Sequence, residues 1–351
     1  MLGPKNEEFK RILNDYYDFH TQQVQTLMTL YDRSCQEGVN HYVKDLVEKC
    51  LKRFFLDNLF RLKHFCSNDR GYDQRVRNVI KKLYNELPLY HYTTYGALKK
   101  IIGIDALESI DGKMSLKMNH VSKMNDCEEG EELTKILHPK CERIFNKYKS
   151  EAYSFSFTTC EDDAAQWERY ARPEYSNFDN KSDCGVCIEF SRPKLMEFIT
   201  QKKESARFLD IFTILYSTNV NPLDAVYFDD LIRYRVKSKL KLKLNQPDGR
   251  IHYDLLLAIY SCAIKNESFK NEYEIRLLLL TGDTPPEFAK PVKDDDSDYV
   301  LLKLGEDFTK FISSITIGPD ACDELRKEIR NQFAGKVDVI DSKCSLRPKK
   351  R

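Results

Sequence analysis

A single change of pattern at Pro88 constrains this chain more than any of its totals. Between Pro4 and Pro88 there is no proline, and helix formers carry apolar residues at three- and four-residue spacing, as in Phe9, Ile12, Leu13 and Tyr16, then Val24, Leu27, Met28 and Tyr31. Turn-like clusters around Gly38 ("QEGVN") and Gly71 ("CSNDRGYD") divide this stretch into two or three helices. One of them, "VKDLVEKCLKRFFLDNLFRLKHF", has an apolar face wide enough to require a packing partner, inside the chain or outside it. After Leu87, short β-rich runs alternate with helical or polar segments. The spacing predicts strands at 89–93, 114–118, 152–158, 185–190, 223–228, 232–244, 273–280, 299–304 and 312–317, with helices near 94–102, 126–149, 161–171, 193–201, 251–264 and 320–332. The organisation that follows is α+β: a helical N-terminal module over 1–87, an α/β domain over 88–335, and a C-terminal strand with the basic tail "RPKKR" over 336–351.

The totals exclude more than they suggest. The 351 residues can bury a sizeable core, and 56 basic against 55 acidic residues leave a formal charge of +1, so no global electrostatic argument for nucleic acid or a membrane surface holds. No apolar run approaches a membrane span, and "MLGPKNEEFK" lacks a basic start followed by an apolar signal core, so the expected location is cytoplasmic and no membrane partner is expected. Eleven scattered cysteines fit free thiols in a reducing compartment. Cys184 and Cys187 form a close pair without a second pair at zinc-site spacing, so no metal is expected. Phosphate-loop and dinucleotide glycine fingerprints are absent.

The chemistry sits in polar rows. Alternate residues of a strand share a face, so "LYHYT" sets His91 and Thr93 against Tyr90 and Tyr92. "YSFSFTT" likewise sets Ser154, Ser156 and Thr158 against Tyr153, Phe155 and Phe157. In "NEYEIRLLLL", Glu272, Glu274 and Arg276 oppose Tyr273, Ile275 and Leu277, which spaces the two carboxylates about 7 Å along the strand. Each row alone reads as the solvated face of a half-exposed sheet. Together, hydroxyls, carboxylates and an imidazole suit a ligand that carries hydroxyls and a positive centre. Trp167 is by default a core anchor, and Tyr170, three residues on in a helix, faces the same way. In "RYRVKSKLKLKL" every second residue from Arg233 to Lys243 is cationic. That row, with Arg235, Lys237, Lys239 and Lys241, is either a charged edge strand protected from aggregation or a phosphate-tracking face for pyrophosphate or nucleic acid.

Six motifs occur in one order: "YHYTT" (90–94), "MNDCEEG" (124–130), "YSFSFTT" (153–159), "QWERYA" (166–171), "GVCIEF" (185–190) and "NEYEIR" (271–276). They resemble a bacterial domain-of-unknown-function family that carries YHYTS, FNDPFE, a serine-containing strand, MWSHYA, G-x-CIGF and E-x-EYR. That family is in turn similar to the ADP-ribosyltransferase fold, a split β core that holds NAD in a cleft. The resemblance implies a ribose contact from His91, with Thr93 beside it, a serine strand at Ser154 and Ser156, and a stacking aromatic at Tyr170 or Trp167. It implies Glu274 as the catalytic carboxylate, Glu272 orienting the nucleophile, and Arg276 among the cofactor-binding residues. Tyr92 stands where histidine-type transferases have glycine, and a strand-one histidine here accompanies E-x-E, which is more often paired with arginine.

The implied activity is an NAD-dependent ADP-ribosyltransferase acting on a protein or nucleic-acid acceptor, as in toxins, effectors delivered into a host cell, or antiviral defence proteins. The N-terminal helices would then hold a regulatory partner or antitoxin. The alternatives are an NAD glycohydrolase and a non-catalytic module that binds nucleotide or nucleic acid.

Overall fold

A computed structural model describes residues 87–104, 113–121, 151–171, 184–202, 205–216, 247–282, 285–294 and 297–345. The helices expected before Pro88, the segment "MNDCEEG" and the cationic row at 233–244 lie outside the described residues. The sheet belongs to one compact unit, Leu87–Asn219 with Asp254–Arg351.

Twelve strands are described: β1 (Leu89–Thr94), β2 (Met114–His120), β3 (Ala152–Thr158), β4 (Gly185–Phe190), β5 (Phe208–Thr213), β6 (Leu215–Tyr216), β7 (Ile264–Lys265), β8 (Glu274–Leu280), β9 (Ala289–Asp294), β10 (Ser297–Gly305), β11 (Ile312–Ile317) and β12 (Asp338–Asp341). The helices are α1 (Tyr95–Ile101), α2 (Ala164–Tyr170), α3 (Arg192–Lys202), α4 (Pro247–Ser261) and α5 (Asp323–Phe333). The fold is mixed α+β, with ten strands in one open, largely antiparallel sheet and a separate parallel pair of β6 with β7.

The sheet branches at β3. Its path runs β12-β11-β4-β1-β3-β2-β10-β9, while β8 pairs with β3 and carries β5 beyond it. β8 occupies one edge of β3 along its whole length, from Ala152 opposite Leu280 to Thr158 opposite Glu274. The other edge is shared: β1 meets it at Tyr90–Thr158, and β2 meets it at Asn119–Ser154 and His120–Tyr153. Between these rungs Phe155, Ser156 and Phe157 have no ladder partner on that edge, so β1 and β2 diverge and leave a fork.

Burial follows the alternation that made the strands. Leu89, Phe155, Phe157, Ile188, Ile275 and Leu277 point to the main core, covered by α1, α3 and α5. Helix α5 shows why: Leu325, Ile329 and Phe333 recur every four residues and form one buried stripe, each contributing about 1.5–3 kcal/mol on burial. On the opposite face Tyr90, Tyr92 and Cys187 pack with Trp167 of α2, the Tyr92 and Trp167 rings meeting edge-on at 4.8 Å. Gly185 lets α2 close on β4, since a Cβ there would stand 2.7 Å from the Ala171 carbonyl oxygen. Among the described residues no helix is long and apolar enough to cross a membrane.

Among the described residues β5, β6, β7 and β9 were not expected from the sequence, and the start of β8 differs from expectation. β5 was not expected, since "FLDIFT" is short and lacks a clean alternation: Leu209 and Ile211 enter the main core, while Phe212, on the other face, meets Tyr260 of α4. The strand expected from residue 273 begins at Glu274, because Glu267–Glu272 form a 3-10 turn and Tyr273 takes a left-handed conformation at φ 44°. Glu272 therefore is not on the β8 row, and the spacing expected of one strand does not describe the pair.

Candidate functional site

The fork opens a cleft of two joined lobes that share His91, Ser156 and Tyr170 in their walls. The smaller, about 100 Å³, is bordered by Gln166, Lys265, Glu272 and Glu274. The larger, about 430 Å³, lies between β1, α1, β2, β3 and β10.

In an unbroken sheet His91 and Glu274 would not meet. Tyr90 pairs with Thr158 and Thr158 with Glu274, so these three share a face, and His91 belongs to the other. The missing rungs bring them together. His91 lies against Phe155 at 4.3 Å between ring centroids, and its Nδ1 donates to the Ser156 carbonyl at 2.9 Å, filling part of the gap in the ladder. Burial lowers the imidazole pKa to about 4, against the smaller opposing effect of that hydrogen bond, so the ring is neutral at pH 7. With the proton on Nδ1, Nε2 is an acceptor suited to a ligand hydroxyl.

Ser156 leaves β3 on the opposite face and donates to Glu274 Oε1 at 2.5 Å. Arg276 donates to the same oxygen from Nε at 3.0 Å and Nη2 at 2.9 Å, and to Oε2 at 2.9 Å. Lys265 donates to Glu274 Oε2 at 3.1 Å and to Glu272 Oε2 at 2.7 Å. Burial alone would raise the Glu274 pKa, but Arg276, Lys265 and Ser156 outweigh it and bring it down to about 2. Lys265, 4% exposed, is kept charged by Glu274 and Glu272 despite burial, and its pKa is raised. The cluster balances two carboxylates with two cations, as a buried ionic group requires.

Glu272 reaches this cluster from the turn. Its Oε1 accepts from Tyr170 Oη at 2.6 Å and from the half-exposed Arg169 at 3.4 Å. A tyrosine in the left-handed region costs about 1–3 kcal/mol, and its surroundings hold it there. Thr158 Oγ1 donates to the Glu272 carbonyl at 2.6 Å, and Gln166 Nε2 donates to it at 3.4 Å.

The structure separates the expected site residues. His91, Ser156, Glu272, Glu274 and Tyr170 border the smaller lobe, and Thr93 and Ser154 border the larger. Of the two aromatic candidates, Tyr170 faces both lobes and is 37% exposed, whereas Trp167 is 1% exposed and donates through Nε1 to Asp162 at 2.8 Å. Trp167 is thus packed beneath α2, away from the described lining. Arg276, also 1% exposed, lies behind Glu274 and donates to the Cys262 carbonyl at 2.8 Å, so it supports the carboxylate and does not line the cleft. Arg235, Lys237, Lys239 and Lys241 lie outside the described residues. Among those residues no group of three or more His, Cys, Asp or Glu is placed to hold a metal, and Cys184 and Cys187 pack in different clusters.

Two parts of the site were not found from sequence. Lys265 comes to the carboxylates through the two-residue ladder of β6 with β7, which also places Tyr216 to accept from the Glu274 N–H at 2.8 Å; nothing in "SCAIKNE" signals this. The second is a further polar row, Ser115, Lys117 and Asn119 on β2, which lines the larger lobe. The alternation in "MSLKMNH" carried that signal in the same form as the other rows. No protein-family model, no curated protein and no solved structure matches this chain.

Proposed function

We propose that the cleft binds NAD and that the chain is an ADP-ribosyltransferase acting on a macromolecular acceptor. The observation that carries this reading is the meeting of His91, Ser156 and Glu274, from three different strands, in one cleft with Tyr170 at its wall. Ser156 orients the Glu274 carboxylate near the ribose of the nicotinamide half, Tyr170 covers the nicotinamide ring, and His91 Nε2 accepts from a ribose hydroxyl. Breaking the C1′–N bond sends its electron pair to the nicotinamide and leaves positive charge on the ribose, which Glu274 stabilises. The acceptor nucleophile bonds to C1′ and gives its proton to Glu272. Loss of one such preorganised group costs about 3–4 kcal/mol of barrier. Hydrolysis would follow the same steps with water as acceptor.

A second reading, a nucleotide-binding module without turnover, is favoured by a different observation. Glu274 already takes hydrogen bonds from Ser156, Lys265 and three times from Arg276, which fills the roughly four lone-pair sites of a carboxylate. A ribose hydroxyl reaches it only by displacing Ser156 or Lys265. The test is transfer of label from adenine-labelled NAD to cell lysate by wild type and Glu272→Gln, with nuclease- and protease-treated lysates. Label that requires Glu272 supports transfer, and the treatment that abolishes it names the acceptor class. Free ADP-ribose without labelled macromolecule would mean hydrolysis, and no product at all would support the binding module.

A further inference from the structure

We infer that the larger lobe is a phosphate site, and that Lys117 and Lys100 hold the phosphate-bearing half of a nucleotide ligand there. This rests on the NAD reading only for which ligand enters, since the chemistry of the lobe is argued from its own residues.

The smaller lobe is bordered by two carboxylates. The described lining of the larger contains two lysines and no carboxylate. The lysines come from different elements, Lys100 from the last turn of α1 and Lys117 from the middle of β2, and both are exposed. Lys117 belongs to a row whose other members, Ser115 and Asn119, offer a hydroxyl and an amide to the same space. Its ammonium sits 4.2 Å from the Tyr299 ring centroid, which gives the side chain a resting place beside the lobe. The odd-numbered residues of β2 face this row while Met114, Leu116 and Met118 fill the core, so the floor is rigid.

The volume decides the scale. About 430 Å³ is within the range of small-molecule sites and far more than an isolated phosphate needs, so the lobe accommodates a nucleoside with its phosphates. The two lobes differ in charge balance: in the smaller, Glu272 and Glu274 are offset by Lys265 and by Arg276 behind them, whereas the larger carries Lys100 and Lys117 with no carboxylate in its described lining. The diphosphate of a nucleotide matches the larger lobe, and His91 lies in the walls of both.

The experiment is calorimetric titration of the full chain with ADP and with adenosine, for wild type, Lys117→Gln and Lys100→Gln. Both lysines are exposed, so the substitutions are compatible with folding. The expected result is that ADP binds wild type, adenosine binds at least tenfold more weakly, and each substitution weakens ADP about tenfold without changing adenosine, the effect of losing one charge-assisted contact. No ADP binding at millimolar concentration, equal binding of ADP and adenosine, or indifference to both substitutions would overturn the proposal. A single-stranded oligonucleotide bound through Lys117 in the absence of ADP binding would also overturn it, in favour of a nucleic-acid groove. If ADP binds as expected and NAD is never turned over, the phosphate site stands and the transferase reading falls.

Discussion

Lys265 and Glu274 are predicted to depend on each other more than either contributes to folding alone. Removing one partner from a buried ionic group costs about 3–5 kcal/mol, because the remaining charge stays desolvated and uncompensated. Lys265→Met leaves Glu272 and Glu274 facing Arg276 and the half-exposed Arg169, whereas Glu274→Gln leaves Lys265 paired with Glu272 and takes from Arg276 the carboxylate of its ion pair. Each single substitution is expected to lose about 3–5 kcal/mol. The double variant restores the balance, with Glu272 and Arg276 remaining, and should be more stable than the sum of the singles by at least about 2 kcal/mol. Urea denaturation followed by fluorescence suits the test, since Trp167 is the single tryptophan and is buried in the same unit. Additivity of the two losses within about 0.5 kcal/mol would refute the argument that the four charges act as one buried group.

Further predictions concern the fork and its supports. Glu274 is held near pKa 2 against an ordinary 4.5, so its stabilisation is full above about pH 4.5 and is lost as the pH falls toward 2. His91 is held neutral, so protonation of the unfolded chain destabilises the fold as the pH drops from about 6.5 to 4. The Lys265→Met/Glu274→Gln variant should lose the lower of these two steps and keep the upper one in acid titrations of the denaturation midpoint. Tyr273→Val should be less stable than Tyr273→Asn by more than about 1 kcal/mol, because asparagine tolerates the left-handed region and a β-branched residue does not. Equal midpoints would contradict that. Gly185→Ala should displace Ala171 and with it α2, costing about 1–3 kcal/mol and weakening ligand binding through Tyr170. An unchanged midpoint and affinity would mean that α2 does not depend on this contact.

Strands were readable both where one face is polar, as in β1 and β3, and where a sustained apolar run marks them, as in β8. β1, β2, β3 and β4 appear where alternation placed them, and the aromatic and hydroxyl sides of "YSFSFTT" divide as expected between Phe155 and Phe157 in the core and Ser156 at Glu274. β5 was hidden because "FLDIFT" shows no clean alternation and is too short to stand out as an apolar run. Alternation made the rows legible one at a time, whereas their meeting in one cleft was expected only from the family resemblance. Alternation assigns His91 and Glu274 to opposite faces, and only the loss of rungs between β1 and β3 lets them share a cleft. Glu272 was assigned to a strand because period-two spacing cannot foresee a left-handed residue at Tyr273. Lys265 was invisible because a buried cation is defined by partners distant in space, supplied here by a two-residue ladder.

The most direct test of the central claim, that the fork joins His91 and Glu274 into one NAD cleft, is the rate of nicotinamide release from NAD in the presence of lysate. It compares wild type, His91→Gln and the charge-balanced Lys265→Met/Glu274→Gln variant, each shown to be folded by Trp167 fluorescence. The account predicts release by wild type and a loss of about a hundredfold or more in both variants. Release that persists in the Glu274 variant, or none by wild type under any condition, would contradict it.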